Sequence, residues 1–148
     1  MELLDTVESI LKQKKLVVCS VSPDATVYDA LALMAEKEIG SLLVMSEGRL
    51  VGLISERDYA RKVILMGRSS KETPVAEVMT EAVTVMPSDT VSACMELMTD
   101  HRRRHLAVVD GGNVVGVLSI GDLVNWIVKS HEQTIQQLHG YIAGAYPA

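Results

Sequence analysis

Residues 49–58 read RLVGLISERD, and residues 113–122 read NVVGVLSIGD. Both run glycine, two apolar residues, serine, two variable residues, aspartate, and each follows an apolar run that predicts a strand. The same order extends outward. Residues 21–59 align with 85–123 at a constant offset of 64 without a gap, and thirteen of those 39 pairs are identical, among them Pro23/Pro87, Thr26/Thr90, Met34/Met98, Gly52/Gly116, Ser55/Ser119 and Asp58/Asp122. A fixed period of this length means one supersecondary unit used twice. Two such copies in one chain are expected to pack about a pseudo-twofold axis, with a cleft and two related sites between them.

Each copy predicts strand–helix–strand–strand–helix. In the first, LVVCSV at 16–21 reads as a buried strand, and Thr26 opens a helix whose inner face carries Val27, Ala30, Leu31 and Met34. SLLVM and RLVGLIS follow as hairpin strands joined through Gly48, and Ser55 opens a second helix that ends at Gly67. In the second copy a strand at 83–85 and a helix from Thr90 to His101 lead to a hairpin through Gly111 and Gly112, and Ser119 opens the last helix. The expected division is an N-terminal helix (1–15), repeat one (16–68), a linker (69–80), repeat two (81–130) and a C-terminal helical tail (131–148) in which Tyr141, Ile142 and Tyr146 form a candidate docking segment. The fold class is α/β, two pseudo-symmetric repeats packed sheet to sheet.

Composition narrows the function. The chain has 148 residues, 48% of them hydrophobic but only 3% aromatic, so the core is aliphatic and Met-rich. A net charge of −5 disfavours a general nucleic-acid binder. Cys19 and Cys94 lack metal-ligand spacing and read as small apolar residues in a reducing compartment. No apolar run approaches the ~20 residues of a membrane span, and the N-terminus is acidic before it is basic, the reverse of a secretory signal. A cytoplasmic protein is expected. None of the four histidines has a nucleophile, a second ligand or an orienting group at useful spacing, and there is neither a Walker loop nor a GxGxxG motif, so no enzyme is expected.

The Ser-x-x-Asp ending has two readings. As structure it is a capping box, complete without any ligand. As function, a helix N-terminus with its free N–H groups suits phosphate, and a carboxylate one turn on suits the two hydroxyls of a ribose.

With the linker VAEVMT at 75–80 and the strand entry RRRHLAVVD at 102–110, the duplicated GhhSxxD pattern resembles a CBS-domain pair, the Bateman module, over about residues 16–130. The stretch ERDYARKVILMGRSSK resembles stand-alone bacterial CBS-pair proteins more narrowly. The resemblance implies a bound adenosine ligand (AMP, ATP or NAD, with S-adenosylmethionine less favoured), a homodimer and a regulated partner protein. It assigns Ser119 and Asp122 to phosphate and ribose in one site, with Arg103, Arg104 and His105 adding charge and Val18, Cys19 and Ser20 edging the adenine. A second site takes Ser55 and Asp58 with Thr80, Val83 and Thr84 opposite. There Gly40 and Ser41 replace the arginines and Arg57 compensates. Val63, Ile64, Val124 and Ile127 are candidate dimer contacts. The competing expectation is a ligand-free homodimeric interaction scaffold.

Overall fold

The computed structural model describes residues 5–132. The candidate docking segment of the tail lies outside the described residues. Each repeat forms a three-stranded sheet. In the first, β1 (Ser20–Val21) pairs parallel with β2 (Ser41–Ser46), which pairs antiparallel with β3 (Arg49–Ser55). In the second, β4 (Thr84–Val85), β5 (His105–Asp110) and β6 (Asn113–Ser119) repeat that order and register, down to a bulge at the same place in each hairpin. The helices are α1 (Val7–Gln13), α2 (Val27–Lys37), α3 (Glu56–Tyr59), α4 (Val91–His101) and α5 (Ile120–Ser130).

Strand alternation explains the layers. Leu42, Val44 and Ile54 face α2 in one core, and Leu106, Val108 and Leu118 face α4 and α5 in another. The intervening residues Leu43, Leu53, Ala107 and Val117 point the other way and form a third cluster where the two sheets meet. Leu43 is 1% exposed, and truncating such a side chain costs about 2–5 kcal/mol.

Each core is completed by a segment from outside its own hairpin. Val7, Ile10 and Leu16 belong to the second repeat's core, where Val7 N–H donates to Asp89 C=O and Val91 N–H to Asp5 C=O. Val75, which opens a 3₁₀ turn at Val75–Glu77, and Val78, which caps it, belong to the first, where Val75 N–H donates to Ala25 C=O at 2.8 Å.

Three local expectations change. The strand expected at 16–21 shrinks to two residues, because Val17 crosses to the other repeat and accepts from Val117 N–H at 3.0 Å. The helix after Ser55 opens into a π-helical turn over Ala60–Ile64 before Gly67 (φ +69°) ends it. That rotation buries Val63 completely, so it is a core residue and not a dimer contact. Ile127 likewise packs against the second core, whereas Ile64 and Val124 are exposed.

Candidate functional site

The two GhhSxxD endings are closed on themselves. Ser55 N–H and Ser55 Oγ both donate to Asp58 Oδ2 (2.9 and 3.0 Å), and Asp58 N–H donates back to Ser55 Oγ at 3.2 Å. Ser119 N–H donates to Asp122 Oδ2 at 2.8 Å, and Asp122 N–H to Ser119 Oγ at 3.1 Å. Both are reciprocal capping boxes. In each aspartate one carboxylate oxygen serves the cap, which leaves Oδ1 for other work.

The glycines that open the motif are small for the sake of the chain itself. A Cβ on Gly52 would sit 2.8 Å from Thr80 C=O, and one on Gly116 would sit 2.6 Å from Leu16 Cβ and 2.9 Å from Val17 C=O. The close approach at each glycine is made by a crossing backbone strap, Leu16–Val17 over β6 and Met79–Thr80 over β3.

Between the repeats lie two clefts related by the offset of 64. The first, of about 300 Å³, is lined by Ser55, Asp58, Arg57, Arg61 and Lys62 of repeat one, by Thr80, Glu81 and Val83, and by His101 through His105 of repeat two. The second, of about 310 Å³, is lined by Ser119, Asp122 and Val117, by Glu38 through Ser41, and by Lys14 and Val17. Ser41 and His105 line both, so the clefts meet at that pair.

This arrangement reverses one expected pairing. Arg103 and Arg104 face Ser55 and Asp58, and it is Gly40 and Ser41 that face Ser119 and Asp122. Because the sheets dock face to face, the end of each second strand's entry meets the other repeat's motif. Thr80, Val83 and Arg57 line the first cleft as grouped from the sequence. Val18, Cys19, Ser20 and Thr84 line neither cleft: Val18 is 58% exposed, Cys19 packs on the first core, and Ser20 and Thr84 are spent on strand pairing. Val17 takes the place expected of them.

The clefts differ sharply in charge. Arg57, Arg61, Arg102, Arg103 and Arg104 gather at the first, and none of the five is ion-paired among the described residues. Repulsion from Arg61 in the first place, then partial burial and the charges of Arg104 and Arg102, lowers the Arg57 pKa. Asp58 Oδ1 is met only loosely, by Lys62 Nζ at 3.7 Å, and Lys62 also donates to Val78 C=O at 3.0 Å. In the second cleft Lys14 Nζ pairs directly with Asp122 Oδ1. Burial pushes the Asp122 carboxyl up, but hydrogen bonds from Lys14 and Ser119 and the charge of Lys14 more than offset it, and the pKa lies below the ordinary value. Burial lowers the pKa of His105, with Asp122 opposing and Arg104 reinforcing.

Lys14 and Glu38 escaped the sequence reading. Lys14 lies in the junction after a helix that the repeat does not include, and Glu38 sits at a left-handed C-cap (φ 55°) that looks like an ordinary helix end. Among the described residues no group of His, Cys, Asp and Glu forms a metal site, and no helix is long and apolar enough to cross a membrane.

Known proteins share this architecture. The CBS domain family model matches residues 7–64 and again 75–129. The CBS domain-containing protein CBSX3, mitochondrial, of Arabidopsis thaliana is 45% identical over 129 residues, 83% of this chain, and the match spans 63% of that protein's length. A solved structure of a protein with CBS domains from Burkholderia ambifaria MC40-6 is 50% identical and superposes with a TM-score of 0.81, over 84% of this chain and 94% of its own. The CBS domain protein PAE2072 from Pyrobaculum aerophilum, solved in complex with AMP, is 27% identical with a TM-score of 0.70, over 79% and 88% of the two chains. The chain belongs to the CBS-domain family and carries two CBS domains in tandem.

Proposed function

We propose that this chain is a non-catalytic regulatory module whose first cleft binds an adenosine nucleotide and whose occupancy signals energy or redox state to a partner protein. The observation that carries the reading is the confrontation across the repeat interface of the Asp58 carboxylate with unpaired arginines, chiefly Arg103 and Arg104. Asp58 Oδ1 suits a ribose diol, the arginines suit phosphate with paired donors, and Thr80 and Val83 form the wall for adenine. The AMP complex of PAE2072 supports the ligand class. ATP and NAD share the adenosine and phosphate chemistry, and S-adenosylmethionine, which lacks phosphate, leaves the arginines unused.

Ligand in that cleft touches both repeats, so it favours one relative arrangement of them, and this is the signal a partner reads. Exposed Ile64, Leu65, Met66, Val124 and Val128 favour a homodimer. That same surface is the specific support for the competing reading, a ligand-free interaction scaffold. Two free thiols fit a reducing compartment, and a cytoplasmic location is the proposal.

Thermal unfolding with and without AMP or ATP tests the reading. A bound nucleotide at a hundredfold excess over its Kd stabilises by about 2.7 kcal/mol. Asp58→Ala must abolish that shift while the protein still folds; a shift from no adenosine ligand leaves the scaffold.

A further inference from the structure

Two positions related by the offset of 64 are alike in backbone and opposite in charge. Glu38 ends α2 and Arg102 ends α4, each as a left-handed C-cap, at φ 55° and φ 52°. Glycine or asparagine suits that conformation best, and a long side chain is strained there. Both residues are exposed, and neither is ion-paired among the described residues. Two strained positions thus present opposite charges to the outside, with no partner in the chain for either.

Each charge borders an apolar groove. In repeat one Glu38 and Glu56 line it with Leu31, Met34 and Ala35. In repeat two Met95, Met98 and Thr99 take the equivalent places, Arg102 to Arg104 line it with Arg57, and Ile120 stands where Glu56 does. The exposed surface continues along the helices that follow. Ile120, Val124 and Val128 make a stripe at one-turn spacing on α5, 44–48% exposed. The equivalent positions in repeat one are exposed Glu56, half-buried Ala60 and exposed Ile64. One face is therefore acidic and shallow, the other basic and bulky.

We infer that these two faces bind each other between two copies of this chain, head to tail, the acidic groove of one copy against the arginine groove of the other. This rests on the homodimer of the proposed function and fixes its orientation. A twofold dimer that uses both faces can pair them in only two ways. Head to head sets Glu38 and Glu56 against carboxylates and the arginines against arginines, like charge on like at both contacts. Head to tail makes both contacts attractive, and the twofold axis repeats the contact so that the assembly closes at two copies. It also sets the face that is small at Ala60 against the face that is large at Val124, whereas head to head doubles the gap at one contact and the bulk at the other.

Sedimentation equilibrium of the nucleotide-free chain tests the orientation without involving the cleft. The wild type is expected to be a dimer. Glu38→Arg and Arg102→Glu are each expected to weaken association about tenfold or more, because each reversal acts twice per dimer, and the double variant is expected to return to within about threefold of the wild type. Glu38→Gln, a milder change, is expected to weaken association as well. In a head-to-head dimer a single reversal leaves like facing like, and neutralising Glu38 relieves repulsion. Single reversals without effect, a double variant without recovery, or tightening by Glu38→Gln therefore overturns the head-to-tail pairing while a homodimer stands. A monomeric wild type overturns the pairing and the homodimer together, and either result leaves nucleotide binding in the first cleft to its own test.

Discussion

Lys14 pairs with Asp122 across 108 residues of sequence, whereas the equivalent Asp58 is met only loosely, by Lys62 Nζ of its own helix at 3.7 Å. The duplicated motif therefore ends in two different states: one carboxylate neutralised by the segment after α1, the other facing an arginine field. Lys14 is 55% exposed on its side chain, so its charge is screened and the pair is worth no more than about 1 kcal/mol. A ribose would have to displace Lys14 to reach Asp122 Oδ1.

Asp122 sets a pH dependence. Its pKa is depressed in the fold, so its contribution to stability is present above the ordinary carboxylate value of about 3.9 and fades as pH falls through the lower native value. Lys14→Met is expected to lower stability by up to about 1 kcal/mol at pH 7 and by much less at a pH acid enough to protonate the carboxyl in both folded proteins. Denaturant unfolding at the two pH values measures the difference.

The strap glycines predict a steric effect. Gly52→Ala and Gly116→Ala place a methyl against backbone oxygen at 2.8 and 2.9 Å, and each is expected to cost about 1–3 kcal/mol. Gly111→Ala meets nothing within 4 Å but needs φ +58°, so about 1 kcal/mol is expected there. Melting curves for the three variants give the ranking, and equal values for all three contradict the crossing of the straps.

The capping boxes hold their helices without ligand. Ser119→Ala removes the acceptor of Asp122 N–H and is expected to cost about 1 kcal/mol, or about 2–4 °C in Tm. The loss is expected with nucleotide absent as well as present, which separates the cap from any binding role.

Cys94 is fully buried, and burial with the charge of Asp89 pushes its thiol up to about 11. A thiol-specific reagent at pH 8 is expected to spare Cys94 in the native protein and to label it only after denaturation.

Much of the fold was legible because it is written in local chemistry. The offset of 64, the Ser-x-x-Asp boxes and the hairpin glycines each specify an element or a turn, and all recur in the structure. What stayed hidden depends on how the halves dock. The family resemblance placed Arg103 and Arg104 beside Ser119 and Asp122, whereas they line the cleft of Ser55 and Asp58, since the pairing follows from the contact of Leu43 and Leu53 with Ala107 and Val117. Val63 looked like a surface residue on an ideal helix and is buried by a π-helical turn that leaves no pattern in its sequence. Val18 and Cys19 read as strand because they are apolar, yet the chain there is diverted to cross Gly116.

We propose the Asp58 cleft, with its arginines, as the nucleotide site. Calorimetric titration with AMP of the wild-type chain and of Arg104→Glu, Asp58→Ala and Asp122→Ala tests it most directly. Saturable binding to the wild type is expected, with loss in Arg104→Glu and Asp58→Ala and retention in Asp122→Ala. Binding that survives Arg104→Glu and Asp58→Ala but disappears with Asp122→Ala would contradict it and move the site to the cleft that Lys14 now occupies.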